Sequence, residues 1–175
     1  LKVICPQQKW KLIPDKEKYL PLFQSAEYLA LKDFPGDTHF VLFDTAQNEF
    51  WDTMLIAVQQ DAAVILCLES SHPHAMSSVR RFIARLLELK ISCPVILRVE
   101  SSRESIDEQL IHFSTEAGAL FLDGMGDGIW LWNRKSQLQQ MRVSGRTYLE
   151  VKNNQQFLNN TAFSILQATR TRISK

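Results

Sequence analysis

Four carboxylates close four short apolar runs in this chain. The runs are His39-Phe40-Val41-Leu42-Phe43-Asp44, Val64-Ile65-Leu66-Cys67-Leu68-Glu69, Val95-Ile96-Leu97-Arg98-Val99-Glu100 and Ala119-Leu120-Phe121-Leu122-Asp123. Asp44, Glu69, Glu100 and Asp123 stand 25, 31 and 23 residues apart. Continuous runs of Val, Ile, Leu and Phe read as strands buried on both faces. In a parallel α/β sheet the carboxyl ends of the strands form the functional face. The four acids would then converge, and three or four carboxylates can hold a hard cation such as Mg²⁺. Arg98 shares a strand face with Glu100 by the two-residue period, which adds a charge pair. A structural use competes with the metal. Asp44 precedes Thr45, Glu69 precedes Ser70-Ser71 and Glu100 precedes Ser101-Ser102. Such triplets make turns and helix N-caps, where negative charge also suits the helix dipole.

Two other groups bear on chemistry. His72-Pro73-His74 follows the second run, where two imidazoles and Glu69 offer metal ligands. A proline-set turn leading into a helix explains the same residues. The glycine-rich stretch Asp123-Gly124-Met125-Gly126-Asp127-Gly128 can present successive backbone N–H groups to a phosphate. It lacks the spacing of a dinucleotide fingerprint and has no Lys or Arg before Arg134. Cys5, Cys67 and Cys93 are widely spaced, with no Cys-x-x-Cys pair. They form no disulfide framework and imply a reducing, intracellular setting.

The elements that must position these residues alternate. Met76, Val79, Phe82, Ile83, Leu86 and Leu87 recur at helical spacing, and Ile106, Leu110, Phe113 and Ala117 do so more weakly, with Gly118 as a stop. Phe50, Met54, Ile56 and Ala57 suggest a further helix. A final helix is expected from about Gln155 to Thr169, burying Leu158, Ala162, Ile165 and Leu166. Val3-Ile4 and Tyr148-Leu149-Glu150-Val151 are weak candidate strands. The spacing of the acids fits repeated βα units. The expectation is one α/β domain over residues 1–175, a parallel sheet that is TIM-barrel-like. Eight such units take ~250 residues, so this chain has room for about six.

Composition narrows the function. Apolar residues make up 45% and charged residues 22% of 175, as in a packed domain. A formal charge of +1 supplies no basic field for a nucleic acid. The longest apolar run, Ala62 to Leu68, is too short for a membrane span. No signal-peptide pattern opens the chain, and the first residue is Leu rather than Met. A piece of a longer polypeptide is expected.

The glycine stretch resembles the end of the barrel domain in the 4-hydroxy-3-methylbut-2-enyl diphosphate synthase family, where the pattern runs Gly-(Ile/Leu)-Gly-Asp-Thr-Ile-Arg-Val-Ser. Asn160-Thr161-Ala162-Phe163-Ser164-Ile165-Leu166-Gln167-Ala168-Thr169-Arg170-Thr171-Arg172 resembles that family's approach to its iron–sulfur domain, where Cys-Pro-x-Cys-Gly-Arg follows. Together the matches cover about a fifth of the chain. The family's enzymes reductively convert 2-C-methyl-D-erythritol 2,4-cyclodiphosphate in isoprenoid biosynthesis. Plants and some bacteria carry an additional domain between the barrel and the cluster domain. The resemblance implies that this chain is that inserted domain, a spacer without catalysis of its own.

Several expectations follow from that resemblance. The parent enzyme holds a [4Fe–4S] cluster and takes electrons from ferredoxin or flavodoxin, whereas this piece holds no cofactor. Its partners are the catalytic barrel and cluster domain of the same chain. The setting is bacterial cytoplasm in preference to a plastid stroma. Arg170, Arg172 and Lys175, in the segment 155–175, form the junction toward the cluster domain. Aligned to the pattern, Gly128 takes the family's Thr, Trp130 its Arg and Trp132 its Ser. Indoles cannot supply the positive charge a diphosphate needs, so Gly124, Gly126, Asp127 and Gly128 form a degenerate phosphate-type loop. Two alternatives stand beside this reading. One is an independent Mg²⁺-dependent barrel enzyme using Asp44, Glu69, Glu100 and Asp123. The other is a small-molecule regulatory domain.

Overall fold

The computed structural model describes residues 2–34, 37–133 and 154–173. The strand expected at Tyr148–Val151 and the junction residue Lys175 lie outside these. Six strands alternate with helices in the sequence β1 (Val3–Pro6), α1 (Gln7–Trp10), β2 (Tyr19–Gln24), α2 (Ser25–Leu29), β3 (His39–Asp44), α3 (Trp51–Gln60), β4 (Val64–Glu69), α4 (Ala75–Glu88), β5 (Val95–Ser101), α5 (Ile106–Leu122), β6 (Gly128–Asn133) and α6 (Asn154–Ile173). The strands are parallel and follow sheet order β1-β2-β3-β4-β5-β6. This is the expected α/β fold, TIM-barrel-like and incomplete. The chain divides into two compact units, Leu1–Ile96 and Leu97–Lys175.

In the first unit, β1 to β4 pair in register, with His39 opposite Val64 and Asp44 opposite Glu69. His39, Val41 and Phe43 alternate along β3 and are fully buried, as the two-residue period of a strand requires. Phe43 and Phe82 lie 5.0 Å apart between ring centroids, and Trp51 meets Phe82 edge-on at 5.3 Å. These rings lock α3 and α4 to the sheet, and truncating one such Phe typically costs about 3–5 kcal/mol. Helix α4 buries Val79, Phe82, Ile83 and Leu86, as its spacing indicates, while Leu87 is exposed. Helix α3 departs from expectation in phase: Leu55 and Val58 are buried with Met54 and Ala57, and Ile56 faces out. Strand β2 had no sequence signal, because Pro21 lies inside it and proline argues against a central strand.

Helix α4 ends in a Schellman motif. The N–H of Lys90 donates to Leu87 O, and that of Ile91 donates to Leu86 O at 2.9 Å. Lys90 there adopts φ +55°, and Ile91 packs buried near Leu86.

In the second unit, Ser105 and Glu108 form a capping box that starts α5. The Ser105 hydroxyl is the main reason the Glu108 carboxyl titrates below its ordinary range. The expected strand Ala119–Asp123 is the last turn of this helix, with Leu120 and Phe121 buried and Leu122 half-exposed. A five-residue apolar run cannot by itself distinguish a buried strand from a helix end. Gly118 therefore does not stop α5; Gly124 does. At φ +75° it accepts the left-handed turn, its N–H donates to Phe121 O, and the Met125 N–H donates to Leu120 O at 2.9 Å. The true strand is β6, which holds Trp130 and Trp132.

Helix α6 was expected at nearly these bounds, but its buried stripe is shifted. Phe157, Thr161, Ile165 and Thr169 are buried, while Leu158, Ala162 and Leu166 are half-buried. Threonines are tolerated inside because Thr161 donates to Phe157 O at 2.8 Å and Thr169 to Ile165 O at 2.9 Å. No helix among the described residues is long and apolar enough to cross a membrane.

Candidate functional site

The carboxyl end of β3 is held by several hydrogen bonds. Asp44 Oδ1 accepts from the Ala46 N–H at 2.9 Å and the Ser71 N–H at 3.0 Å. Its Oδ2 accepts from the Ser71 hydroxyl at 2.6 Å. An ionised carboxylate has about four acceptor positions, so three are already committed. Thr45 continues the join: its N–H and hydroxyl both donate to Glu69 O, at 2.8 and 3.1 Å. The Thr45 carbonyl in turn accepts from the Trp51 indole at 3.0 Å and the buried Ser78 hydroxyl at 2.9 Å. Asp44 thus fastens the turn after β3 to the turn after β4.

Of the four acids, Asp44 and Glu69 are neighbours across adjacent strands. Glu100 is the last residue but one of β5, 4.0 Å from the Arg98 guanidinium, and that guanidinium lies over Trp130 at 5.1 Å. The shared face expected for Arg98 and Glu100 is therefore present. Asp123 is at a helix end and not a strand end, because the run preceding it is helical. The expected convergence of four strand-end acids loses that member. Among the described residues, no group of three or more His, Cys, Asp or Glu side chains is placed to hold a metal.

His72 and His74 are exposed, with ring centroids 5.7 Å apart. His72 Nδ1 accepts the His74 N–H at 3.0 Å, which fixes the turn that opens α4. One of its two ligand atoms is thereby used. Cys67 is sealed within β4, while Cys5 and Cys93 are half-buried. A [4Fe–4S] cluster needs grouped thiolates, and these three cysteines do not fit one.

The glycine loop joins α5 to β6 and does not follow a strand. Its first two donors, Gly124 N–H and Met125 N–H, close the helix and are not presented to an anion. Gly126 sits at φ +95°, where a Cβ would stand 2.9 Å from Leu97 Cγ. Glycine is demanded there by strand β5 behind it. Along β6, Leu131 and Asn133 are buried, so Trp130 and Trp132 occupy the opposite side by the strand period. Trp132 is 47% exposed.

Two polar clusters had no sequence signal, since their members are far apart in the chain. Tyr28, His39 and Asp61 meet in the first unit, where Tyr28 donates to Asp61 Oδ2 at 2.9 Å. Burial, then the Asp61 carboxylate, holds the Tyr28 phenol above its ordinary pKa. In the second unit, Asn133 Nδ2 donates to Gln109 Oε1 at 3.0 Å and to Asn154 Oδ1 at 2.6 Å. Asn154 Nδ2 returns a bond to Asn133 Oδ1 at 2.8 Å, and Gln109 Nε2 donates to Arg103 O at 2.9 Å. This amide cluster joins the start of α5, the end of β6 and the start of α6.

Helices α5 and α6 also border a groove of about 580 Å³ lined by Leu110, Leu122, Thr161, Ser164, Ile165 and Ala168 among others. Of the junction residues, Arg170 is exposed on α6, and Arg172 lies in the same helix.

Comparison with known proteins gives one consistent relationship. The chain is 30% identical over 166 residues to a protein of Parabacteroides distasonis named 4-hydroxy-3-methylbut-2-en-1-yl diphosphate synthase (flavodoxin). It is 34% identical over 173 residues to the protein of that name from Protochlamydia amoebophila, and 26% identical over 163 residues to that of Phocaeicola vulgatus. These alignments cover 95%, 99% and 93% of this chain, but 24%, 22% and 24% of the relatives. The chain thus spans about a quarter of the length of the curated relatives it matches. No family model matches it, and no solved structure does.

Proposed function

We propose, from a chain homologous over nearly its whole length to one segment of the 4-hydroxy-3-methylbut-2-en-1-yl diphosphate synthases, that it serves as the inserted, non-catalytic spacer of such an enzyme. The observation that carries this reading is the coverage: 95% of this chain against 24% of the relative. A further support is chemical. The strand-end carboxylate Asp44 is bonded into its own turns, and the glycine loop spends its leading N–H groups on a helix end. Neither arrangement leaves a group aimed at a reacting atom, and catalytic acids or anion holes need that aim.

In this reading the longer enzyme carries out the reductive ring opening of a cyclic diphosphate at its [4Fe–4S] cluster, in the cytoplasm. Flavodoxin supplies the electrons, as the relatives' names state for those proteins, with ferredoxin as the alternative donor. The catalytic barrel and the cluster domain are the partners of this module within one chain. The module sets the separation and angle at which they close, because catalysis requires the cluster to reach the substrate. Arg170, Arg172 and Lys175 act at the junction.

The test uses the full-length enzyme with residues 1–175 replaced by a flexible linker. A spacer predicts full cluster content with turnover lowered at least tenfold. Trp130→Ala and Asp44→Ala in the intact enzyme should leave KM unchanged. Full turnover in the linker variant, or a KM shift in either point variant, overturns the reading.

A further inference from the structure

Helices α5 and α6 meet through two repeats of the same length. Leu110, Ser114, Gly118 and Leu122 recur every four residues along the α5 side of the groove. Phe157, Thr161, Ile165 and Thr169 recur every four residues along the buried side of α6. Ridges of this spacing interdigitate. A four-residue repeat also meshes with itself after a slip of one helical turn, about 5.4 Å. Packing along the stripe does little to forbid that slip. Gly118 offers no side chain, and even a Cβ added there would meet only Ile165 Cγ2, at 4.0 Å. The groove of about 580 Å³ leaves room for displaced side chains. Thr161 and Thr169 bond to carbonyls of their own helix, so their hydroxyls carry no axial information.

The amide cluster does distinguish one axial position from the next. Gln109 and Asn133 are 1% and 5% exposed, so their amide atoms need partners inside the protein. Asn133 Nδ2 donates one proton to Gln109 Oε1 and the other to Asn154 Oδ1, and Asn154 Nδ2 returns a bond to Asn133 Oδ1. Gln109 Nε2 is held in turn by Arg103 O. A one-turn slip of α6 carries Asn154 away and breaks both of its bonds to Asn133. Buried amide groups would then lose partners, a penalty that the apolar stripe does not impose. A single buried asparagine fixes helix register in coiled coils by the same physics. We infer that Gln109, Asn133 and Asn154 form the register lock of α6, selecting one of its near-equivalent seats on α5 and β6. The lock itself does not depend on the spacer reading. Its consequence does, because a slipped α6 displaces Arg170 at the junction by about one turn.

The experiment compares the full-length enzyme with its Gln109→Leu, Asn133→Leu, Asn154→Leu triple variant. Spin labels are attached through p-acetylphenylalanine at Ile111 on α5 and Phe163 on α6, both exposed. Double electron–electron resonance then reads their separation. The parent should give one narrow distance. The triple variant should fold with a urea midpoint close to the parent's, since apolar replacement of a buried polar cluster is often tolerated. It should also show a second distance population. One narrow distance equal to the parent's would overturn the inference, as would two populations in the parent. Should the triple variant not fold, Asn154→Ala at a half-buried position opens the α6 side of the lock alone. The second population is expected there too, and its absence overturns the lock. Turnover is scored separately. A second population with full turnover keeps the lock and removes its link to the spacer role.

Discussion

His39 Nε2 lies 2.9 Å from Asp61 Oδ2, with the two side chains 0% and 2% exposed. The other ring nitrogen, Nδ1, is 2.8 Å from the Asp37 carbonyl oxygen. Both ring nitrogens thus have an oxygen partner, and the imidazole is held at each end. Asp61 Oδ2 also accepts from Tyr28, and its Oδ1 accepts from the Ala63 N–H at 3.0 Å. A buried polar cluster so fully bonded holds α2, β3 and the end of α3 together. Asp61→Ala should lower stability by about 1–3 kcal/mol for each buried group it leaves unsatisfied, the Tyr28 hydroxyl first. His39→Leu with Asp61→Leu should cost much less than the two single changes together. Urea unfolding of the four proteins measures the coupling, and strict additivity would mean that the pair is not a unit.

Helices α4 and α5 end in the same Schellman motif with different residues in the left-handed position, Lys90 at φ +55° and Gly124 at φ +75°. A non-glycine residue in that region costs about 1–2 kcal/mol. Lys90→Gly is therefore expected to stabilise by roughly 0.5–1 kcal/mol after the entropy of the unfolded glycine is deducted. Gly124→Ala should destabilise by a similar amount. Thermal melting of both variants checks the opposite signs.

Asp44 is expected to act as a turn clamp. Asp44→Ala should cost about 1–2 kcal/mol, in the range of lost caps. Millimolar Mg²⁺ or Mn²⁺ should leave the melting temperature of the unsubstituted protein unchanged. A metal-dependent rise that vanishes in Asp44→Ala would instead restore the Mg²⁺-dependent enzyme, because specific binding stabilises by mass action.

Burial lowers the His112 pKa, with nearby Glu116 working against the shift and Arg103 adding to it. The folded state thus resists protonation more than the unfolded state, whose imidazole titrates near about 6.5. Stability should rise as pH increases from below the folded value up to that range, then level off. His112→Gln should flatten this rise. Urea midpoints at pH 5 and pH 7.5 provide the comparison, and an unchanged slope in the variant would count against His112.

The junction makes a kinetic prediction. Arg170→Ala with Arg172→Ala in the full-length enzyme should lower turnover at least tenfold while cluster content stays constant, if these side chains set the exit angle of the cluster domain. Cationic residues near a helix C-terminus also favour its dipole, by about 0.3–1 kcal/mol each, so a melting shift of a few degrees is expected as well. Full turnover in the double variant would reduce the arginines to that dipole effect.

Periodicity and turn chemistry by themselves determined much of this protein. β3, β4 and β5 were legible because six-residue runs rich in branched and aromatic residues, bounded by turn residues, favour a strand. Helix α4 was legible because its stripe persists over four turns. The homology was legible in the glycine stretch and in residues 160–172. Tertiary structure decided the rest. Ala119–Asp123 is helical because α5 continues to a glycine able to take a left-handed turn, and the run alone carries no period that would reveal it. Thr161 and Thr169 displace Leu158 and Leu166 from the buried side of α6, since a hydroxyl bonded to its own helix can be interior. The roles of the polar groups were hidden for a related reason. Asp44 joined to Ser71, and His39 to Asp61, are contacts 27 and 22 residues apart in sequence. Such partners become neighbours only when parallel strands align their ends, and whether a carboxylate binds a metal or its own turn depends on which donors that alignment brings to it.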